Sequence, residues 1–173
     1  QESSNVLEGE ADTLVTYPAE AREGFTIAAD SVYSGKLAAD GSTVFTVNYE
    51  RNKYTITYKS VEWDADVVKT YYFGEAVEEV AAPDKEGYTN NGWDVTIPET
   101  MTAGDIVATA QYAINTYTIT FDTVGGTNVG AITAEFGKEI TAPADPTKEG
   151  HKFLGWKKGE AAYTIPATMP AES

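Results

Sequence analysis

The sequence predicts a mainly β (α+β) fold that is built from small modules in tandem. The first observation is a spacing of 63 residues at which short motifs recur along the 173-residue chain. The second is an alternation of large apolar residues with threonine, which is typical of half-buried β-strands. The third is a set of Gly- and Pro-containing turn signals between these segments. A period of this length indicates a small structural unit that is copied along the chain.

Two kinds of motif keep the same phase from copy to copy. One is a basic-Glu-Gly triplet followed by a ring-bearing residue, and the other is a Gly-Trp pair. The members are Arg22–Phe25, Lys85–Tyr88 and Lys148–His151 for the triplet, and Gly92–Trp93 and Gly155–Trp156 for the pair.

The period divides the chain into three modules. The first, residues 1–52, is partial because its opening strand is missing; the second, residues 53–115, is complete; the third, residues 116–173, lacks its closing strand. Two explanations stay open for the partial modules. The chain is either a slice of a longer array, or a subunit whose open sheet edges pair with a neighbouring chain, since an unpaired edge is a template for another strand.

Alternation locates the strands within a module. Tyr54–Tyr58 and Tyr117–Phe121 open the second and third modules, with Tyr, Ile and Phe pointing inward and Thr pointing outward. Ile132–Phe136 is a second strand of the third module. Val44–Tyr49 and Ile106–Tyr112 are predicted to close the first and second modules.

A proline-rich segment supplies the α part of the predicted α+β class. Pro83, Pro143 and Pro146 forbid a long regular helix, so we expect at most one or two helical turns, which begin after Pro146. Gly87 and Gly150 suit the left-handed conformation that ends such a turn.

The connections between modules are short. Glu50–Lys53 and Ala113–Thr116 separate one closing strand from the next opening strand, and neither contains a Gly or Pro run. Such connections are stiff compared with Gly/Ser linkers. Together with the constant module length, they predict an elongated arrangement.

The composition excludes several classes of partner. The net charge is −15, and residues 54–116 alone carry eleven acidic and three basic side chains. Because binding to nucleic acid and to anionic lipid headgroups depends on Lys and Arg, both are excluded as partners. The acidic surface is typical of a soluble extracellular protein that does not associate. No apolar run approaches the ~20 residues that span a bilayer, so no membrane insertion is expected.

The aromatic residues form two groups, those that recur at the 63-residue spacing and those that do not. Trp93 and Trp156 recur and are predicted to form the small cores. Trp63 and Tyr72 do not recur, and they are the predicted contact residues for a ligand or partner, as an exposed aromatic platform on the second module. Packing of these two side chains within the protein is the alternative.

The sequence offers no constellation for catalysis, for a cofactor or for a metal. His151 is the single histidine and the chain has no cysteine, so transition-metal and His-based nucleophilic sites lack partners. His151 shares the phase of Phe25 and Tyr88 and is predicted to be a half-buried ring. Asp40–Ser42 and Asp64–Asp66 lack the ligand spacing of a calcium loop and are predicted to be turns. We therefore expect no enzyme activity, no catalytic residue, no cofactor and no metal.

The third module carries a resemblance to a known family. The combination of Tyr117–Phe121, Gly125–Gly126, Phe136–Gly137, Pro143–Gly150 and Phe153–Trp156 resembles the Listeria–Bacteroides repeat, the module of internalin B-type B-repeats. The match spans the whole third module and, more loosely, residues 53–112.

The first module departs from this pattern. Ala29–Asp30 stand where the other modules have Gly-Trp, and Ser34–Val44 is similar to the last half of mucin-binding-like repeats. The resemblance to the Listeria–Bacteroides repeat implies a β-grasp-like fold, in which a curved mixed sheet covers a short helical segment. It also implies a secreted or wall-attached bacterial protein whose repeats are not catalytic.

The expected function is that of a non-enzymatic extracellular repeat region, a stalk or spacer of a bacterial cell-surface or secreted protein. The expected partners are flanking domains of the same longer protein, and the expected state is a monomer, with strand exchange at the open ends as the alternative. The alternative function is adhesion, with Trp63 and Tyr72 binding a glycan or a host surface protein.

Overall fold

The computed structural model describes residue 6 and residues 8–171, and these residues form twelve β-strands. The strands are β1 (Leu14–Thr16), β2 (Phe25–Ile27), β3 (Ser34–Lys36), β4 (Tyr49–Arg51), β5 (Lys53–Lys59), β6 (Val67–Tyr72), β7 (Tyr88–Trp93), β8 (Ile106–Ile114), β9 (Thr116–Ile119), β10 (Ile132–Glu135), β11 (Trp156–Lys158) and β12 (Ala161–Tyr163). The described residues contain no helix. The mainly β class is therefore confirmed, whereas the helical turns expected after Pro146 are not found.

The strands pair into small sheets. One sheet has four strands in the order β6-β5-β8-β7, and the others are the pairs β1-β3, β2-β4, β9-β10 and β11-β12. The pairing of β5 with β6 is antiparallel and regular, from Lys53 opposite Tyr72 to Tyr58 opposite Val67. β7 and β8 are also antiparallel, with a register shift between Asn90 and Trp93.

Several predicted strands are confirmed. Tyr54–Tyr58 lies within β5, and Ile56 and Tyr58 of this strand are fully buried while Lys59 is exposed. Ile106–Tyr112 lies within β8, and β10 covers four of the five residues predicted for the second strand of the third module. The opening strand of the third module is shorter than predicted because β9 ends at Ile119.

The predicted closing strand at Val44–Tyr49 is wrong over most of its length. Thr46 makes only an isolated bridge with Val32, and β4 begins at Tyr49. The backbone N–H of Asn48 donates to the Ser31 hydroxyl (2.9 Å) instead of to a strand carbonyl. At Asn48 a hydrogen bond to a side chain thus takes the place of a backbone hydrogen bond between strands. The alternating side chains therefore lie along an extended segment and not along a paired strand.

The chain divides into two compact units. The first contains the described residues up to Tyr58 together with Val67–Glu79 and Thr96–Ala108, and the second contains Lys59–Asp66, Val80–Val95 and the described residues from Thr109 onward. This division differs from the sequence modules, whose boundaries stay a prediction.

The core of the first unit is small, as expected for units of this size. Ile56 and Tyr58 lie on one face of β5, and the other buried side chains are Tyr71 of β6, Ala108 of β8, and Ala28 and Met101 outside the strands. Burial, with a smaller contribution from neighbouring Tyr71, raises the pKa of Tyr58 above its usual 10.0.

Two methionines occupy equivalent places in the two units. In the first, Gly74 N–H donates to Met101 O and Met101 N–H donates to Glu75 O, both at 2.8 Å. In the second, Gly137 and Met169 make the corresponding bonds, with Met169 N–H donating to Lys138 O. Both methionine side chains are 1% exposed.

The chain between tryptophan and methionine differs in length between the two places. Met101 follows Trp93 by eight residues, whereas Met169 follows Trp156 by thirteen. The additional residues fall where β11 and β12 form a hairpin, in which Trp156 pairs with Tyr163.

Candidate functional site

The connection between the first and second modules is a compact set of contacts, which we name the first junction and define as Gly24, Asn52 and Phe73. Asn52 is the single residue between β4 and β5. Its N–H donates to Gly24 O (2.8 Å), and its carbonyl accepts from Phe73 N (2.9 Å). Its side-chain carbonyl accepts from the Thr26 hydroxyl (2.5 Å), and its amide nitrogen donates to the Tyr54 hydroxyl (3.4 Å).

The connection between the second and third modules repeats this geometry. We name it the second junction and define it as Gly87, Asn115 and Phe136. Asn115 lies alone between β8 and β9, its N–H donates to Gly87 O, and its carbonyl accepts from Phe136 N, both at 2.9 Å. Its side chain accepts from the Thr89 hydroxyl (2.6 Å) and donates to the Tyr117 hydroxyl (3.4 Å).

An aromatic ring closes each junction against a glycine. Gly24 and Gly87 are buried, both have a φ of 76°, and each is the third residue of a turn, a position where positive φ favours glycine. A Cβ on Gly24 would lie 2.1 Å from the Phe73 ring, and a Cβ on Gly87 would lie 2.1 Å from the Phe136 ring. Glycine is therefore favoured at both positions for two reasons: its backbone adopts a positive φ, and it has no Cβ that would clash with the ring.

The predicted connections Glu50–Lys53 and Ala113–Thr116 contain Asn52 and Asn115, but the contacts of these two residues were not predicted. The positive φ of Gly87 and Gly150 is as predicted, although the turn follows no helix. The signal that identifies the junction is the combination of an unvarying Asn between two strands with a Phe-Gly pair 21 residues later.

Trp63 lies in the turn between β5 and β6, within the second unit. It is half-buried, and its ring centroid lies 5.9 Å from that of Trp93 at an interplanar angle of 48°. The indole N–H of Trp93 donates to Val80 O (2.7 Å). Trp63 thus packs on the tryptophan of the Gly-Trp pair.

Tyr72 lies at the end of β6, within the first unit, and is 42% exposed. Lys53 Nζ lies 4.8 Å and Arg51 Cζ 5.4 Å from the centre of its ring, distances at which cations attract the face of an aromatic ring. With Glu50 these three residues line a shallow pocket of about 530 Å³. Because Trp63 and Tyr72 belong to different units, each is described by itself, and their role in binding stays a prediction.

His151 is exposed, contrary to the expectation of a half-buried ring. Its Nδ1 lies 2.8 Å from Glu149 O. The preceding Gly150 has a positive φ similar to that of Gly24 and Gly87, but a Cβ there would meet nothing within 4 Å. The turn before His151 therefore lacks the aromatic cover that the two junctions have.

The described residues contain no group of three or more His, Cys, Asp and Glu side chains that would hold a metal ion. At Asp40, hydrogen bonds from the hydroxyl and backbone N–H of Ser42 lower the carboxyl pKa, as in a turn-forming Asp. In the described part of the chain no helix is long and apolar enough to cross a membrane.

The third module contains a groove of about 950 Å³. One wall is β9 with the residues that follow it, up to Val124. Trp156 lies 4.8 Å from Phe121 of this wall and 5.1 Å from Phe153, ring centre to ring centre.

Together these features define a β-rich repeat protein in which one junction geometry recurs. The family model of the Listeria-Bacteroides repeat domain matches residues 54–110 and 117–172, more than half of the chain. The chain belongs to the Listeria-Bacteroides repeat domain family, which confirms the resemblance drawn from the sequence.

Curated relatives carry similar segments. A putative membrane protein of Evansella cellulosilytica is 35% identical over 120 residues, which cover 65% of this chain and 18% of that protein. A putative Gly-rich membrane protein of the same organism is 32% identical over 120 residues, covering 65% and 14%. Internalin H of Listeria monocytogenes is 40% identical over 99 residues, covering 52% and 18%. The chain thus spans less than a fifth of each relative, and no solved structure matches it.

Proposed function

We propose that this chain is a repeat region of an extracellular bacterial surface protein, in which it acts as a non-enzymatic stalk or spacer. Membership of the repeat family and the similarity to Internalin H support the surface location. The observation that carries the spacer role is that the same junction geometry occurs twice. The proposal includes tandem β-grasp-like modules at 53–115 and 116–173, an elongated arrangement, and flanking domains of the same protein as partners.

Each junction restricts rotation between successive strands. At Asn52 and Asn115 the backbone N–H, the backbone C=O and both polar atoms of the side chain are hydrogen-bonded. A change of φ or ψ at either residue breaks several of these bonds, each with a net contribution of about 1 kcal/mol. A single hydrogen-bonded Asn therefore restricts the direction of one strand relative to the next, whereas a Gly/Ser linker behaves as a random coil.

The junction bonds join uncharged groups, so we expect them to be insensitive to salt. The ion pairs Lys59–Asp66 (3.3 Å) and Lys69–Glu78 (3.7 Å) are solvent-exposed, and such pairs contribute little to stability, whereas the pair Lys85–Glu62 (3.3 Å) is partly buried. The net charge of −15 opposes association between molecules. A spacer with these properties keeps its reach in media of different ionic strength.

Small-angle X-ray scattering tests the proposal. A compact globule of this length has a radius of gyration of about 16 Å, and we expect a clearly larger value that is the same at low and high salt. Insertion of Gly-Ser-Gly-Ser after Asn115 is expected to broaden the distance distribution. The matched control is the same insertion after Gly159, in the β11–β12 turn. A parent value near that of a compact globule, or equal effects of the two insertions, would contradict the spacer role.

The second candidate function is adhesion through Tyr72 and Trp63, and the exposed, cation-flanked ring of Tyr72 favours it. Binding of the parent to an array of mucin glycans and host surface proteins is the first measurement. Binding that Tyr72→Ser abolishes without a change in melting temperature would support adhesion. Trp63→Ala is less informative because Trp63 packs on Trp93. No binding across the array would leave the spacer role as the better account.

A further inference from the structure

The shallow pocket at Tyr72 combines an exposed aromatic ring with two cations that form no ion pair. Lys53 lies directly opposite Tyr72 in the pairing of β5 with β6, and such cross-strand partners point to the same face of a sheet. Arg51 and Lys53 are both exposed, and neither takes part in an ion pair within the part of the chain that the structure describes. In a chain with a net charge of −15, these two cations form a local exception that favours a negatively charged partner.

The ring of Tyr72 brings the two cations together. Lys53 Nζ and Arg51 Cζ lie 4.8 Å and 5.4 Å from its centre. A guanidinium binds a carboxylate or a sulfate through two parallel N–H bonds, and an ammonium adds a point charge. Because the Tyr72 side chain is 42% exposed, a ligand has room to place C–H groups on the electron-rich face of the ring. The three side chains therefore suit a ligand that carries one negative group beside an apolar ring face.

The backbone at Tyr72 disfavours an extended peptide as the ligand. The N–H of Tyr72 donates to Glu75 Oε2 (2.7 Å), and the N–H of Glu75 donates to Tyr72 O (2.9 Å). The N–H of Phe73 donates to Asn52 O (2.9 Å). Strand addition depends on free main-chain donors and acceptors, and these donors already have acceptors. Recognition at this place therefore depends on the side chains.

The charge of the pocket favours a single negative group over a polyanion. Its lining contains two cations, Arg51 and Lys53, and one acid, Glu50, which gives a net charge of +1. Glu75 lies nearby but does not line the pocket. Charges farther away than about 8 Å are largely screened at physiological ionic strength, so one carboxylate interacts chiefly with this lining. A nucleic acid or an anionic membrane extends much farther and meets the acidic remainder of the chain.

We propose that the pocket formed by Glu50, Arg51, Lys53 and Tyr72 binds an anionic saccharide, in which a sugar ring carries a carboxylate or a sulfate. Arg51 and Lys53 bind the negative group, and the ring of Tyr72 packs against the apolar face of the sugar. The inference rests on the adhesion function and deepens it, because it names the class of ligand and gives no part to Trp63. The spacer role does not depend on it.

The chain beside the second junction offers a matched place without this lining. Three positions there correspond, by the 63-residue spacing, to the two cations and the ring: Ile114, Thr116 and Glu135. Thr116 lies opposite Glu135 just as Lys53 lies opposite Tyr72, and all three counterpart side chains are exposed. The same local backbone pairing thus occurs once with the proposed site and once without it.

Titration of the whole chain, followed by NMR chemical shifts of the backbone amides, tests the proposal. The probes are sialyllactose, which carries a carboxylate, a sulfated lactose, and lactose as the neutral control. We expect saturable shifts around Tyr72 with at least one of the two charged sugars, weaker binding at high salt, and no shifts with lactose. Binding of only the sialylated or only the sulfated sugar identifies which negative group the site accepts.

Variants at the pocket assign the contacts. Arg51→Gln and Lys53→Gln should each weaken binding about two- to fivefold, and Tyr72→Ser should weaken it about tenfold. Glu50→Gln should strengthen binding about twofold, because it removes the opposing charge. The matched control is Lys36→Gln, which removes an exposed cation outside the pocket and should leave the affinity unchanged. Melting temperatures equal to that of the parent show that each variant is folded.

Transfer of the site is the most demanding measurement. A chain with Ile114→Arg, Thr116→Lys and Glu135→Tyr should bind a second equivalent of the charged sugar, with new shifts in β9 and β10. The matched control carries glutamine at the same three positions and should bind one equivalent, as the parent does. A folded triple variant that still binds one equivalent would show that the two cations and the ring are not sufficient, and would overturn the proposal.

The remaining outcomes separate this inference from the adhesion function. Equal binding of lactose and the charged sugars, or unchanged affinity of both Arg51→Gln and Lys53→Gln, would overturn the anionic ligand but leave adhesion through Tyr72 intact. Shifts at the same amides with an acidic, acetylated and amidated peptide, but with none of the sugars, would assign the pocket to a protein partner. No binding of any sugar or protein, here or on the array, would overturn both.

Discussion

The second and third modules keep the same residues in phase but differ in what packs on the copied tryptophan. Trp93 belongs to β7, donates a hydrogen bond to Val80 O (2.7 Å) and packs against Trp63. Trp156 packs instead on Phe121 and Phe153, and Gly126 stands in the phase of Trp63. The difference teaches that the shared phase of a tryptophan does not fix its aromatic neighbours.

The same comparison separates strand propensity from strand formation. Tyr88–Trp93 is a six-residue strand that pairs with β8 through Tyr88–Ile114, Thr89–Ala113 and Asn90–Tyr112. His151–Trp156 keeps the Gly-Trp ending, but before Trp156 this described segment forms only the isolated bridge of His151 with Lys148. The shared ending therefore does not by itself specify a strand, as expected for a context-dependent preference.

The largest expected effect compares the two tryptophans. Trp93→Ala should lower the free energy of unfolding by about 3–5 kcal/mol because it removes the ring that packs on Trp63 and leaves the Val80 carbonyl without its indole donor. Trp156→Ala should cost about 1–2 kcal/mol less, because both side chains are half-buried but, of these two described residues, only Trp93 donates an indole hydrogen bond. Urea denaturation followed by far-UV circular dichroism measures both. Equal losses would show that the bond from Trp93 to Val80 contributes nothing measurable to stability.

The next effect compares two glycines with similar backbone conformation. Gly87→Ala should cost about 3 kcal/mol, because the left-handed conformation costs about 1–2 kcal/mol and overpacking against Phe136 adds about 1–3 kcal/mol. Gly150→Ala is the matched control, with a φ of 72° and open space around the new Cβ. Gly150→Ala should lower the free energy of unfolding only by the cost of the left-handed conformation, about 1–2 kcal/mol. Thermal unfolding of the two variants measures the difference; similar losses would mean that Phe136 does not pack on Gly87.

The smallest effect concerns pH and compares Tyr58 with Phe121, its counterpart 63 residues later. Burial raises the pKa of Tyr58 in the folded protein, so folding favours the neutral phenol. This stabilisation is complete below the unfolded pKa near 10.0 and is lost as the pH rises above it, through the folded pKa. Between about pH 9 and pH 11 the parent should therefore lose more stability than Tyr58→Phe. If both proteins lose the same amount by urea denaturation, Tyr58 is not the group responsible.

The parts of the fold that follow from local pattern were predictable. β5, β8 and β10 each overlap a strand that was predicted from the sequence, at Tyr54–Tyr58, Ile106–Tyr112 and Ile132–Phe136. Val44–Tyr49 has the same alternation, but the bond from Asn48 N–H to the Ser31 hydroxyl replaces a ladder contact there. Side-chain competition for a backbone donor depends on residues 17 positions apart, and alternation does not reveal it.

The candidate sites show the same limit. The period identified Gly87 as a copied residue, the turn chemistry identified it as left-handed, and Asn115 lies within the predicted connection Ala113–Thr116. That Phe136 lies against Gly87, 49 residues away in the chain, is a long-range contact that follows only from the packing of β9 and β10. Trp63 was identified by its break of phase, yet its contact with Trp93 depends on the turn between β5 and β6.

The β11–β12 hairpin has a consequence for how such arrays change over time. It accommodates five more residues between tryptophan and methionine than the second module has, and Met169 still makes the bonds that Met101 makes. The hairpin therefore lies at a position where the chain can gain length while the contacts on either side of it are kept. Insertions and epitope tags placed at Gly159 should be tolerated for the same reason, whereas the residues of the junctions admit no such freedom.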